Sequence, residues 1–376
     1  MDRISVVGLG KLGACLAACF AARGFDTLGV DMDNAKVDAV NHQRAPVAET
    51  NLEQVIRSGG SRLRASCRLP EAVEETDITF VVVPTPSEAG GNFSLQYVRE
   101  ALEVLASALA RAAKPYHLFV ITSTVSPGSC DQELIPLVER VSGRRLHSGF
   151  GFCYNPEFIA LGSVVQDFLN PDLVLIGESD RSAGERLARL YSAVCENNPY
   201  VARMSLVSSE IAKIALNSYV TMKISFANTL ANICEAIPGT DVDAITAAIG
   251  ADKRIAPYYL KGGLGYGGPC FPRDNKAFAT FAHQFGCSAH LARATDEVND
   301  HQMDRLVEVT LQCLAGKKPI VAILGLAYKP KTYVTEESAG IRLAAELLQR
   351  DIRVIAFDPL AAENHGTALD QRITLA

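Results

Sequence analysis

Three glycines near the N-terminus have the spacing of a phosphate loop. VVGLGKLG at 6–13 places Gly8, Gly10 and Gly13 in a G-x-G-x-x-G, after a β-branched run and at the start of an Ala-rich stretch. Each glycine has a task in such a loop. Gly8 permits the tight turn, Gly10 lets the backbone approach a pyrophosphate, and Gly13 lets helix and strand pack closely. The helix N-terminus then offers N–H groups and a partial positive charge to the anion. Asp31 follows 18 residues after Gly13, at the end of the next apolar run. A carboxylate there accepts hydrogen bonds from ribose hydroxyls and repels a 2′-phosphate, so the pattern predicts NAD rather than NADP. A solvated turn residue is the plainer alternative for Asp31.

A second concentration of chemistry lies in GGLGYGGPCFPRD at 262–274, where five of the seven residues from Gly262 to Gly268 are glycine. Such density suits a backbone that approaches a ligand or needs positive φ. Cys270 and Asp274 follow at once. A cysteine here is a nucleophile only if nearby positive charge favours its thiolate, and otherwise a turn residue. The other nine cysteines sit mostly among apolar neighbours and read as small core residues. Lys213 and Asn217 are four apart on a mostly apolar helical segment and share a face, either core-directed or solvated. Glu157, in YNPEF, follows a proline in a loop, where a Glu is ordinarily exposed. Pro84-Thr85-Pro86 and Ser123-Thr124-Val125 each follow a buried apolar run. In open α/β sheets ligands bind beyond such carboxyl ends, although turn chemistry alone also explains them.

The elements that must position these residues alternate. Runs at 4–7, 27–30, 78–83, 118–122 and 173–177 read as strands, several of them buried on both faces. Helical stretches separate them: one from the glycine loop to about Arg23, stopped by Gly24, and others at 98–113 and 182–194. This implies a doubly wound parallel sheet. After about Met204 the character changes. Residues 208–236 hold no Gly or Pro and predict one long helix, a spine for a helical region running to about Gly316. The α/β signal then returns as a strand at 319–325, a helix at 338–349 and a strand at 353–357 ending at Asp358. Two strands are few for an independent sheet.

Composition narrows the function classes. With 36 basic and 42 acidic residues the formal charge is −6, and no basic stripe appears, which argues against a nucleic-acid partner. No apolar stretch approaches a membrane span, and MDRISVVGLG lacks the apolar core and cleavage site of a secretory signal. Ten scattered cysteines without a C-x-x-C pair predict neither a disulfide scaffold nor a metal site. The expectation is a reduced cytoplasmic enzyme.

In combination these stretches resemble the nucleotide-sugar 6-dehydrogenases, the UDP-glucose and GDP-mannose dehydrogenase family. The resemblance rests on VVGLGKLG, VVVPTP at 81–86, STVSPG at 123–128, NPEFIALGS at 155–163 and SSEIAKIALNSYVTMKISFAN at 208–228. It continues through ADKRIAPYYLKGGLGYGGPCFPRDNKA at 251–277 and GLAYKPKT at 325–332. It implies three domains: a Rossmann-type NAD-binding α/β domain over 1–203, a central helical dimerisation domain over 204–316, and a partial nucleotide-sugar-binding α/β domain over 317–376. The family reaction oxidises a C6 alcohol to a carboxylate in two NAD-dependent steps. By resemblance, Cys270 traps the aldehyde as a thiohemiacetal, which a second hydride loss turns into a thioester. Lys213, with Asn217 beside it, stabilises the C6 oxyanion. Asp274 and Thr124 position a water or the C6 oxygen, and Glu157 is the base for hydrolysis. Leu12, Lys36, Pro84, Thr85 and Ser123 join the glycines and Asp31 at the cofactor. Phe158, Tyr258, Gly267, Phe271 and Lys329 meet the substrate, and Arg254 reaches across a homodimer to the partner's substrate. A UDP-hexose such as UDP-glucose is favoured as substrate, and no metal is implied.

Three departures stand out. FIALG at 158–162 carries Leu161 where the family usually has a second Glu. YVTEES at 333–338 has Tyr333 and Val334 for an acidic pair and Glu336 for an Arg. The chain also stops soon after Asp358, short of the family's usual end. These keep a second reading open, an NAD-binding but catalytically crippled dimer. A third reading is a single-step hydroxyacid dehydrogenase of similar two-lobed shape.

Overall fold

The computed structural model describes residues 2–159, 161–314, 320–361 and 370–375. The chain divides into two compact units, Met1–Lys213 and Ile214–Ala376.

The first unit begins with β1 (Ile4–Val7), α1 (Lys11–Ala22), β2 (Thr27–Val30), α2 (Asn34–Asn41), α3 (Leu52–Gly59), β3 (Leu63–Ser66) and α4 (Glu71–Glu74). It continues with β4 (Ile78–Val81), α5 (Gln96–Arg111), β5 (Leu118–Ile121), α6 (Ile135–Ser142), β6 (Gly151–Tyr154), α7 (Val164–Leu169), β7 (Leu173–Glu178), α8 (Arg181–Val194) and β8 (Tyr200–Ser205). A π-helical turn, Cys130–Leu134, leads into α6. The strands form one sheet in the order β3-β2-β1-β4-β5-β6-β7-β8. β1, β2, β4, β5 and β6 are buried at every residue, which is why their sequences are nearly continuous apolar runs. One face of the sheet packs on α1, α3, α7 and α8, the other on α5 and α6. The winding reverses between β1 and β4, the switch point at which open α/β sheets form a ligand crevice beyond the strand ends.

Two expectations are corrected here. The sheet is not wholly parallel, because β6 and β7 pair antiparallel over Cys153–Glu178 and Tyr154–Gly177. The apolar run at 78–83 also ends as a strand at Val81: Val82 still donates to the Val7 carbonyl, but the following Pro84 cannot continue a ladder.

α9 (Leu206–Ala236) runs through the boundary between the units. At 31 residues it extends about 46 Å. The second unit goes on with α10 (Val242–Gly250), α11 (Phe271–Gln284), α12 (His290–Leu314), β9 (Ile320–Leu324), α13 (Ala339–Leu348), β10 (Arg353–Phe357) and β11 (Thr374–Leu375). Its sheet has the order β11-β10-β9, all parallel, so the two strands expected from the sequence become three. β11 escaped notice because two residues carry no periodicity. Gly316 and Pro319, expected to end the helical region and open β9, lie outside the described residues. α13 packs on this sheet through Ala344, Leu347 and Leu348 against Ile323, Val354 and Ala356. Asp358, just past β10, accepts from the N–H groups of Leu326, Ala327, Leu360 and Ala361. Against the upward push of burial, those four donors hold its carboxyl below the usual range.

α9 is amphipathic in reverse. Its buried residues include Ser209, Glu210, Lys213, Asn217, Ser218, Thr221, Ser225 and Asn228, whereas Leu216, Tyr219, Phe226 and Ile233 are exposed. A polar face survives burial only if partnered. Here Ser218 meets Asn275, Ser225 the Thr295 carbonyl, and Asn228 both Gly263 N and the Leu264 carbonyl.

Candidate active site

The glycine loop after β1 has the geometry its spacing implies. A Cβ on Gly8 (φ +99°) would lie 2.4 Å from the Val82 carbonyl oxygen, and one on Gly13 would lie 1.9 Å from that of Gly8. A Cβ on Gly10 would have nothing within 4 Å. Two glycines thus serve the turn and the packing of α1 on β1, while the third keeps open space at the N-terminus of α1. That end has no side-chain cap and no acidic residue in its first turn. An anion fits such an end. Leu12 packs against the core beneath the loop. Asp31 closes the other side, accepting from Leu9 N at 2.7 Å and Asp33 N at 2.9 Å. It is half-buried rather than a solvated turn residue. Lys36 Nζ lies 3.3 Å from the same carboxylate, so its charge is already partnered and is no spare cation for a 2′-phosphate.

The loops after β4 and β5 are tied together. Ser123 Oγ donates to the Val83 carbonyl at 2.6 Å, so its hydroxyl is turned inward and only its backbone is left for a ligand. Thr85 is buried, Thr124 half-buried and Pro84 exposed. Glu210 of α9, fully buried, accepts from Gly128 N at 2.5 Å and Cys130 N at 2.9 Å. It anchors the loop that carries Thr124. The signal for it was an acid on the face of α9 that also bears Lys213.

The loop after β6 carries Glu157. It is half-buried, against the exposed position expected of a loop Glu. Burial pushes its carboxyl up to about 7. Tyr191 of α8 and Asn155, neither singled out by sequence reasoning, form a network with it. Lys213 is 6% exposed and donates from Nζ to the Glu157 backbone carbonyl at 2.8 Å. The same ammonium sits 4.6 Å from the centre of the Phe158 ring, a cation–π distance. The core-directed reading of Lys213 therefore holds. Leu161 packs on the apolar core of the first unit.

In the second unit Cys270 is exposed at the N-cap of α11. A helix N-terminus favours a thiolate. Asp274, in the first turn of α11 and 1% exposed, accepts from Asn217 Nδ2 at 2.6 Å, and Arg273 Nε lies 3.5 Å from its other oxygen. The glycine run before Cys270 is clamped by amides. Asn299 bonds both N–H and carbonyl of Tyr266, and Gln302 donates to the Gly263 carbonyl. Gly267 has a packing reason to be glycine, since a Cβ would lie 2.1 Å from the Glu337 carbonyl oxygen. Gly268 N donates to the Glu336 carbonyl. The Glu336 side chain itself is exposed. Lys329 stacks 5.8 Å from the Tyr328 ring, and Phe271 meets Tyr259 edge-on at 6.1 Å. Arg254 is folded onto Asp252, with Nη2–Oδ2 at 2.6 Å, on an exposed loop that also presents Tyr258. Lys223 of α9 ties that loop down through the carbonyls of Ile255 and Ala256.

The cysteines divide more finely than expected. Cys15, Cys19, Cys130, Cys153 and Cys195 are buried, and desolvation raises each thiol. Cys67, Cys287 and Cys313 are exposed and Cys234 is half-buried, so four of the nine are not core residues. They fall in loops or the last turns of helices, where apolar sequence neighbours do not guarantee burial. Among the described residues no group of three His, Cys, Asp or Glu is placed to hold a metal ion, and no helix is long and apolar enough to cross a membrane.

Comparison with known proteins decides among the readings. The NAD binding domain of the UDP-glucose/GDP-mannose dehydrogenase family matches residues 2–195, its central domain 207–301 and its UDP binding domain 322–376. The UDP-glucose 6-dehydrogenase AglM of Haloferax volcanii is 38% identical over 366 residues, 96% of this chain and 84% of its own. The chain belongs to the UDP-glucose/GDP-mannose dehydrogenase family. A GDP-mannose 6-dehydrogenase of Azotobacter vinelandii is 32% identical over 97% of the chain and 83% of its own length. A solved UDP-glucose dehydrogenase from the archaeon Pyrobaculum islandicum superposes with a TM-score of 0.93 at 33% identity, covering all of this chain and 86% of that one.

This family member is thus an NAD-dependent nucleotide-sugar 6-dehydrogenase, and the crevice at β1 and β4 fits its cofactor. The open space at Gly10 and the carboxylate of Asp31 match a pyrophosphate and a ribose. Gly10→Ala separates the two demands on the loop. Its Cβ meets nothing in the free chain, so Tm is expected to hold within about 2 °C while NAD affinity falls about tenfold or more, as read by titration calorimetry. Gly13→Ala, which clashes with backbone, is expected to lower both.

Proposed function

We propose that this enzyme oxidises C6 of a UDP-hexose, UDP-glucose foremost, to the uronate. The balanced reaction takes one sugar alcohol, one water and two NAD to one carboxylate, two NADH and three protons. UDP-glucose is favoured because the relative of that name has the higher identity, 38% against 32% for the GDP-mannose enzyme. The observation that carries the chemistry is the exposed Cys270 at the N-terminus of α11, followed one turn later by a buried Asp274 already pinned by Asn217.

NAD, when bound, accepts a hydride in each oxidation. Cys270 adds as thiolate to the C6 aldehyde, forming a C–S bond, and holds the carbon to the thioester level. Water then breaks that bond and the sulfur leaves as thiolate. Lys213, a buried ammonium, stabilises negative charge on the C6 oxygen, with Asn217 beside it. Asp274 and Thr124 orient the reacting oxygen or water. Glu157 takes the proton of the hydrolytic water. Phe158, Tyr258, Gly267, Phe271 and Lys329 line the sugar nucleotide. The matched ranges support dividing the chain into NAD-binding, central and nucleotide-sugar domains at 1–203, 204–316 and 317–376.

The exposed apolar residues of α9 argue for a homodimer. Tyr219, Phe226 and Ile233 recur every seven residues and are 56%, 53% and 50% exposed. A stripe of this kind needs a cover, and a second copy of the same helix supplies one. Arg254 on its exposed loop then serves the partner's substrate. Cytoplasmic location belongs to the same reading. The test is a panel of UDP- and GDP-hexoses assayed for kcat/KM, with sedimentation for the assembly. UDP-glucose should lead the panel by at least about tenfold, and Phe226→Glu should give monomers. A GDP-sugar that leads would overturn the substrate assignment.

A further inference from the structure

The network around Glu157 raises a question of proton count. Tyr191 Oη lies 2.5 Å from Asn155 Oδ1 and 2.9 Å from Glu157 Oε1. A phenol has one hydrogen, and both neighbours are acceptors when Glu157 is ionised. Tyr191 is 1% exposed and held at the end of an aromatic chain through Phe168 and Phe20. Burial keeps its phenol well above the ordinary range, so it retains that hydrogen. Asn155, also 1% exposed, has its amide orientation set independently. Its Nδ2 donates to the Leu175 carbonyl at 2.9 Å, which leaves Oδ1 facing Tyr191 as an acceptor. Were the phenol hydrogen given to Glu157, two oxygens with lone pairs would face each other at 2.5 Å in a dry pocket. If the hydrogen goes to Asn155, the short contact is satisfied. The phenol oxygen can then only accept from Glu157, which must carry a proton to donate.

We propose that Tyr191 and Asn155 are positioning residues that hold a proton on Glu157 in the resting enzyme, so that Glu157 must lose it before serving as base. The chain of donors is then complete: Glu157 to Tyr191, Tyr191 to Asn155, Asn155 to Leu175. Burial acts in the same direction and Lys213 against it. Lys213 donates to the backbone carbonyl of Glu157 at 2.8 Å. Among the described residues of the first unit, the thiols of Cys19 on α1 and Cys195 after α8 also lie in electrostatic reach, both buried and held neutral by desolvation. The assignment of the base rests on the proposed function; the proton arrangement does not.

The test reads Glu157 directly, by the infrared band of its protonated carboxyl during a pH titration, identified by its absence in Glu157→Gln. Two variants bear on it. Asn155→Ala frees the phenol hydrogen for the carboxylate, and Tyr191→Phe removes the acceptor of the Glu157 proton. Each is expected to move the midpoint down by about one pH unit, a tenfold change in proton affinity. If the phenol instead donates to the carboxylate, Tyr191→Phe moves the midpoint up and Asn155→Ala leaves it in place; either result overturns the proposal. Steady-state turnover is followed over the same pH range. If the infrared midpoint falls while the acid limb of kcat stays fixed, the proton arrangement stands and Glu157 is not the base.

Discussion

Cys270→Ala is expected to abolish uronate formation, with kcat for the overall reaction falling at least about a thousandfold. In the proposed mechanism Cys270 alone holds C6 covalently between the two oxidations, so the effect is large. The remaining exposed cysteines are Cys67, Cys287 and Cys313, and none opens a helix behind a clamped glycine run. Folding should be unaffected, since the side chain is exposed and caps no backbone group. NAD affinity should likewise be unchanged, which separates lost chemistry from lost structure. The assay is the rate of acid product by chromatography. Wild-type rates of acid formation in this variant would remove the cysteine from the mechanism.

Lys213→Ala carries the second large effect. A buried ammonium is worth most where charge develops, and losing one such contribution typically costs 10²- to 10³-fold in kcat. Lys213 is 6% exposed, and its partners include the Glu157 backbone carbonyl and the face of Phe158. We expect kcat to fall about a hundredfold or more with KM changed little, because the oxyanion exists only in the transition state. Lys213→Arg keeps the charge but not the reach, and should recover only part of the rate. A loss confined to KM would instead make Lys213 a substrate anchor.

How much of this was legible in the sequence varies with the residue. The phosphate loop was, because Gly8 and Gly13 are demanded by local backbone crowding that leaves a fixed spacing. The buried strands were too, because a strand covered on both faces must be continuously apolar. β8, with four half-buried residues between exposed ends, and β11, with two residues, leave no such trace. The reversed polarity of α9 was only half visible. Periodicity gives a helix, but which face turns inward depends on partners distant in sequence, such as Asn275 and Thr295. Glu157 reads as a loop residue until Tyr191, 34 positions on, arrives beside it. The departures from family pattern also needed the fold. Leu161 is accounted for by apolar packing, and at Glu336 it is the backbone carbonyl, not the charge, that holds Gly268.

The proposed chemistry is a four-electron oxidation at a single carbon. It is tested most directly by letting purified enzyme exhaust a limiting amount of UDP-glucose with NAD in excess, then comparing NADH absorbance with acid product. Two NADH and one uronate are expected for each sugar consumed. One NADH per sugar, with an aldehyde or ketone as the end product, would contradict it.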